Sequence, residues 1–205
     1  AAGRAFAGYK NRDEIFRPLI YFAEDIDLST EYDEWYSIHR KGYPPGQKQI
    51  VTRLNIRWVK LQEAKEKNKT QPKKTLLNLY NYNRISSTLM RMQTFNHPEI
   101  AKYINEKFYP VNIDVYTKDT LEIRGTKYIN ENQSHNYHQL AIAALEGKMF
   151  FPAFIILDEE GNVIGRIQEF MTPVEFETVI KFYGEDAYKT QKFNNFKKNF
   201  KNTVN

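Results

Sequence analysis

The sequence predicts an α/β fold, a central mixed sheet with helices on both faces. Three observations carry that expectation. From residue 75 onward the elements read strand, helix, helix, strand, hairpin, helix, strand, strand, helix. Two short apolar runs, 75–80 (TLLNLY) and 111–115 (VNIDV), have the length of buried strands and are separated by helical patterns. Residues 152–158 and 163–168 flank the tight turn Glu159-Glu160-Gly161-Asn162, which predicts an antiparallel closing pair.

Each element has its own local signal. Residues 1–54 lack a regular pattern and are expected to form an N-terminal extension; within them, Ser29 or Thr30 caps a helix through 32–40, and Gly42-Tyr43-Pro44-Pro45-Gly46 breaks the chain. Residues 54–58 alternate and predict a short strand. Residues 59–69 predict a charged helix with Leu61 and Ala64 on one side. Residues 81–87 read as a polar loop, with Ser87 or Thr88 opening a helix to about Phe95. His97-Pro98-Glu99 places proline at the first position of the next helix. Residues 121–129 turn at Gly125-Thr126 and predict a hairpin insertion, 137–146 a helix ended by Gly147. Thr172, with Glu175 three residues on, has the spacing of a capping box for the last helix, through Tyr183. The Phe151-Pro152 bond precedes a strand, where either isomer fits. The expected organisation is an extension (1–54), a main domain (55–187) and a basic aromatic segment (188–205).

Composition narrows the chemistry. The 205 residues are 41% hydrophobic, enough for a real core, and no apolar run reaches the roughly 18 residues of a membrane-spanning helix. The net charge of +5 invites a nucleic-acid reading, but residues 189–205 hold five lysines, Lys189, Lys192, Lys197, Lys198 and Lys201, and no acid. Without these five lysines the formal charge is zero, so basicity belongs to the tail rather than to a groove of the main domain. There is no cysteine, which excludes disulfides, thiolate metal sites and thiol nucleophiles. The start, Ala1-Ala2-Gly3-Arg4, holds neither an initiator methionine nor a signal peptide; a processed end and an artificial one both fit it.

Several stretches, in order and spacing, carry a resemblance. They are Ile56-Arg57-Trp58, Pro72-Lys73-Lys74-Thr75-Leu76-Leu77-Asn78-Leu79-Tyr80, Thr94-Phe95-Asn96-His97-Pro98-Glu99, Tyr137-His138-Gln139-Leu140-Ala141, Phe151-Pro152-Ala153-Phe154 and Tyr183-Gly184-Glu185. Over residues 55–187 the chain resembles thioredoxin-like domains of envelope proteins from Bacteroidetes-type bacteria. The resemblance implies a thioredoxin-like sheet and a cis-proline loop at Pro152. It also implies an envelope or periplasmic location with the leader removed, the cytoplasm being the alternative. Where that family carries a Cys-x-x-Cys pair, this chain reads Arg84-Ile85-Ser86-Ser87, and the position of the family's buried acid is Asn78. Disulfide exchange needs an attacking and a resolving thiol, and neither arginine nor serine supplies one.

What the resemblance leaves is a surface that can pair with an extended chain. The expected binding residues are Tyr82, Arg84, Ser86, Ser87, Phe151 and Pro152, with Tyr82, Phe150, Phe151 and Phe154 as an aromatic wall. The expectation is a redox-inactive, non-enzymatic interaction or scaffold subunit. Its partner is a protein, and no cofactor or metal is expected. Rival readings remain. Ser86 or Ser87 would need a nearby base to act as a nucleophile. His135 and His138 have helical metal-ligand spacing without an evident third ligand, so a structural histidine is the plainer reading. The tail, with Phe193, Phe196 and Phe200 on one side, folds back on the domain, docks on a partner, or touches an anionic membrane surface or nucleic acid.

Overall fold

The computed structural model describes residues 56–131 and 136–204. The expected helix at 32–40, the break at 42–46, the division at 54/55 and His135 lie outside the described residues. The elements run α1 (Leu61–Asn68), β1 (Lys74–Tyr80), α2 (Ile85–Leu89) continuing into a π-helical turn (Met90–Thr94), α3 (Pro98–Lys107) and β2 (Phe108–Asp114). There follow the hairpin β3 (Leu121–Ile123) and β4 (Thr126–Tyr128), then α4 (Gln139–Ala144), β5 (Ala153–Leu157), β6 (Val163–Ile167) and α5 (Pro173–Gly184). A 3-10 turn (Ala187–Lys189) leads to α6 (Phe193–Asn199).

The four-stranded sheet has the order β2-β1-β5-β6. β1 and β2 are parallel, with Asn78 opposite Asn112, and β5 is antiparallel to both β1 and β6. The mixed sheet expected from the sequence is therefore present. β1 is an apolar run rather than an alternating one because both its faces are covered. Leu76 points into a core with Met90, Phe95, Ile100, Phe154 and Phe176, built by the α2 segment, α3 and α5. Leu77 and Leu79 point the other way, to Leu61, Val111, Leu140 and Ile155, beneath α1 and α4.

Several boundaries differ from the sequence expectation; the helices expected at 59–69 and 137–146 are shorter, at Leu61–Asn68 and Gln139–Ala144, and three further differences have a visible cause. Residues 56–58 form no strand; Val59 alone makes a parallel bridge to Val111. The Arg57 N–H instead donates to the Asn105 side chain at 2.8 Å, which takes it out of any ladder. β2 starts at Phe108, not Val111, because α3 ends at Lys107 and Phe108 is already extended (φ −128°, ψ 161°), leaving no connecting loop. α2 starts at Ile85, two residues early, for a reason that lies in the loop described below.

The capping box at α5 is present. Thr172 N–H donates to Glu175 Oε2 at 2.9 Å, and Glu175 N–H donates to Thr172 Oγ1 at 3.4 Å. Thr172→Ala removes the cap and leaves an orphan amide at the helix start. We expect a loss of about 1 kcal/mol in urea unfolding, with a melting point lower by about 3 °C.

The tail folds back. Phe193 and Phe196 pack on Phe182 of α5 with ring centroids 5.3 and 5.4 Å apart, and Phe200 stacks on Phe196 at 5.1 Å. Lys192, Lys197, Lys198 and Lys201 stay on the solvent side. The three phenylalanines share a side, as their spacing predicts, and that side is packed against the domain.

Candidate functional site

The site is built around the end of β1. Asn81, buried just after the strand, organises the loop that follows. Its Oδ1 accepts from Asn83 N–H at 2.9 Å, its carbonyl accepts from Arg84 N–H at 3.0 Å, and its Nδ2 donates to the Tyr116 hydroxyl at 3.1 Å. This tight Asx turn shortens the loop, so the helix opens at Ile85 with Arg84 as its exposed, extended N-cap. Ser87 therefore does not cap the helix. Its Oγ accepts from the Asn81 N–H at 3.3 Å, inside the first turn.

A side-chain hydrogen bond ties the loop to the proline loop. Ser86 Oγ donates to the Phe151 carbonyl at 2.9 Å, immediately before a cis Phe151-Pro152 peptide. Ser86 is thereby brought to the residue preceding Pro152. The hydroxyl contacts are structural: Ser86 faces a backbone carbonyl and Ser87 a backbone amide, and neither contact activates a nucleophile.

The aromatic wall has a different membership from the expected one. Phe154 is buried on the central strand β5 against Phe95 and Phe176, at 6.0 and 5.0 Å, and Phe151 is buried in the opposite core. Phe154 is drawn inward because β5 is paired on both edges and covered on both faces, and Phe151, just before the strand, packs into the core with Tyr137 against it. Tyr82 and Phe150 are exposed, at 62% and 66%. Tyr82 meets Tyr116 edge-on at 5.3 Å, Tyr116 stacks on Tyr137 at 5.3 Å, and Tyr137 leans on Phe151 at 5.7 Å. This ladder links the two loops. Burial, with the Tyr116 hydroxyl next, pushes the Tyr137 phenol up. Sequence reasoning assigned no role to Tyr116, Tyr137 or Asn81. The only signal was asparagine directly after an apolar strand, a common turn former.

On the other side of the loop, Asn78 lies where the resemblance put the family's buried acid. Its Nδ2 donates to Asn112 Oδ1 at 2.7 Å, and its own Oδ1 has no hydrogen-bond partner among the described residues. His138 is buried and fixed as a neutral ring. Nε2 donates to the Asp119 carbonyl at 2.9 Å and Nδ1 accepts from Leu140 N–H at 3.1 Å, so it caps α4, while burial pushes its pKa down. The structural reading of this histidine is the one realised. Among the described residues no group of three or more His, Cys, Asp or Glu could hold a metal ion.

A mixed sheet in this order, a helix opening at the end of β1 and a cis-proline loop hydrogen-bonded to it define a thioredoxin-fold protein whose dithiol positions hold Arg84 and Ser87. The chain belongs to the thioredoxin-like domain family, whose match spans residues 61–184. Among solved structures it is similar to a thioredoxin-fold protein from Helicobacter pylori, with 17% identity, 69% of this chain and 89% of that one covered, and a TM-score of 0.49. It is also similar to a DsbH oxidoreductase, with 18% identity, 76% and 99% coverage and a TM-score of 0.47. A thioredoxin from Thermus thermophilus matches with 14% identity, 63% and 87% coverage and a TM-score of 0.47. No curated protein matches the sequence. Because the chain has no cysteine, it carries no thiol for disulfide exchange.

Proposed function

We propose that this chain is a redox-inactive thioredoxin-like module that binds a protein partner and performs no catalysis of its own. The observation that carries the reading is the pair of exposed aromatics, Tyr82 and Phe150, flanking a loop pair that is locked rather than reactive. Exposed aromatic side chains on a rigid base have the properties of interface anchors. Arg84, at the exposed helix start, adds a cation to the same loop as Tyr82, and the Phe151-Pro152 backbone offers an extended edge to a partner chain. Ser86 and Ser87 hold that surface together and do not project from it. A cell-envelope or periplasmic setting, with a scaffold role in a larger assembly, rests on the family resemblance. Among the described residues no helix is long and apolar enough to cross a membrane. The packing of the tail phenylalanines favours a structural role for that segment over a membrane or nucleic-acid contact.

The test is cross-linking and affinity capture from the native envelope fraction, repeated with Tyr82→Ala/Phe150→Ala. The double variant keeps the wild-type melting point, because both side chains are exposed, and weakens capture of the specific partner by about tenfold. Recovery of this chain alone, or capture indifferent to both substitutions, defeats the proposal.

A further inference from the structure

Beside α2 lies a cleft of about 240 Å³, to which the loop after β1 contributes Tyr82 and Ser87. Its walls are aromatic. Trp58 and Phe95 form one side, held edge-on to each other at 5.3 Å, and Tyr80 contributes another. An apolar cavity of about 150 Å³ already accepts benzene, so this volume suits one ring with a short arm.

Its polar groups are few and particular. Asn78, only 5% exposed, lines the cleft and has an unpartnered carbonyl oxygen. A buried amide oxygen left without a donor costs about 1–3 kcal/mol, so a guest that brings an N–H or O–H gains what the protein alone forgoes. Arg91 also lines the cleft, and its guanidinium makes no ion pair or hydrogen bond among the described residues. Asp114, the acid nearest Tyr80, does not line the cleft; its carboxylate accepts from Tyr116 N–H at 2.9 Å. The cleft thus offers flat apolar walls, an acceptor-bearing amide pair and, in Arg91, a cation with no ion pair among the described residues.

We propose that this cleft is a binding site for a small aromatic acid. The ring lies against Trp58, Tyr80 and Phe95, a ring N–H or O–H faces the Asn78 and Asn112 amides, and the carboxylate meets Arg91. The cleft shares Tyr82 and Ser87 with the protein-binding surface proposed above, but its argument does not rest on that reading. Asn78 and Asn112 carry no charge, so the floor of the cleft does not repel an anionic guest.

Indoleacetate, indole and acetate are the probes, titrated into the full chain and followed by amide NMR shifts. Indoleacetate gives saturable shifts around Trp58, Tyr80, Thr88 and Arg91, with a Kd on the order of 1 mM or below for a ligand of this size. Indole binds about fivefold more weakly for want of the charge contact, and acetate alone gives none of these shifts. Arg91→Gln, an exposed position, brings indoleacetate down to the level of indole. Thr88→Phe plugs the mouth of the cleft and abolishes both. Shifts that do not saturate, that fall elsewhere on the molecule, or that survive Arg91→Gln at full strength overturn the proposal.

Discussion

Glu177→Gln lowers stability by about 3 kcal/mol and releases the end of the chain. Glu177 is 2% exposed, yet its carboxylate is among the most heavily bonded groups described. It pairs with Lys181 Nζ at 2.8 Å and accepts from Thr203 N–H at 2.9 Å, Val204 N–H at 3.0 Å, Asn202 Nδ2 at 3.0 Å and the Thr203 hydroxyl. Four of these donors lie in residues 202–204, so one side chain of α5 pins the tail and holds Val204 in the core. Burial alone would raise its pKa. The bonds from Lys181, Thr203, Val204 and Asn202 outweigh that cost and bring the pKa from 4.5 to about 2. A folded-state pKa below the unfolded one gives stability that is complete above about pH 4.5 and is lost as pH falls toward 2. The shift corresponds to about 3 kcal/mol. Urea unfolding at neutral pH and at about pH 3 checks both statements. The wild type loses much of this contribution on acidification, whereas Glu177→Gln has lost it at both pH values. Its melting point falls by about 9 °C. A difference under about 1 kcal/mol at neutral pH shows that the bonds contribute little net stability.

Arg84→Cys combined with Ser87→Cys creates a working dithiol in a chain that has none. The first position is an exposed helix N-cap and the second is buried one turn inside, which separates an attacking thiol from a resolving one. The helix N-terminus lowers the pKa of the outer thiol. Mild oxidation then gives one intramolecular disulfide and no free thiol, and insulin reduction rises above the background of the parent chain. Asn78 does not titrate, so proton transfer to the inner thiol lacks its acid. Adding Asn78→Asp raises the rate further, by the roughly hundredfold scale of acid–base assistance at most. Ser87→Cys weakens the bond from Asn81 N–H, at about 1 kcal/mol. Two thiols that stay free under oxidant mean that positions 84 and 87 do not hold the dithiol geometry, and the reading of the site as a degenerate redox centre fails.

Several features were legible because their causes are local. The apolar run 75–80, the Pro98 start of α3, the turn at Gly161 with φ 84°, and the Thr172–Glu175 capping box each depend on neighbouring residues alone. The absence of cysteine, and so of a thiol for disulfide exchange, was readable without coordinates. The start of α2 was misplaced because it depends on Asn81, whose side chain folds the loop and is itself held by Tyr116, thirty-five residues away. The aromatic wall was misassigned for a related reason. Residues 150–154 are rich in aromatics, but which of them faces solvent depends on β5 lying between β1 and β6.

By itself the sequence determined the α/β class, the order of strands and helices from residue 75, and the absence of any thiol. These follow from hydrophobic period, turn residues and residue identity, all readable along the chain. Only the tertiary structure decided which surface remains. The Ser86–Phe151 bond, the Tyr82-Tyr116-Tyr137 ladder and the cleft between Trp58 and Arg91 bring together residues far apart in sequence. Their contacts exist only once the sheet has paired, because strand pairing, not local preference, sets which side chains meet.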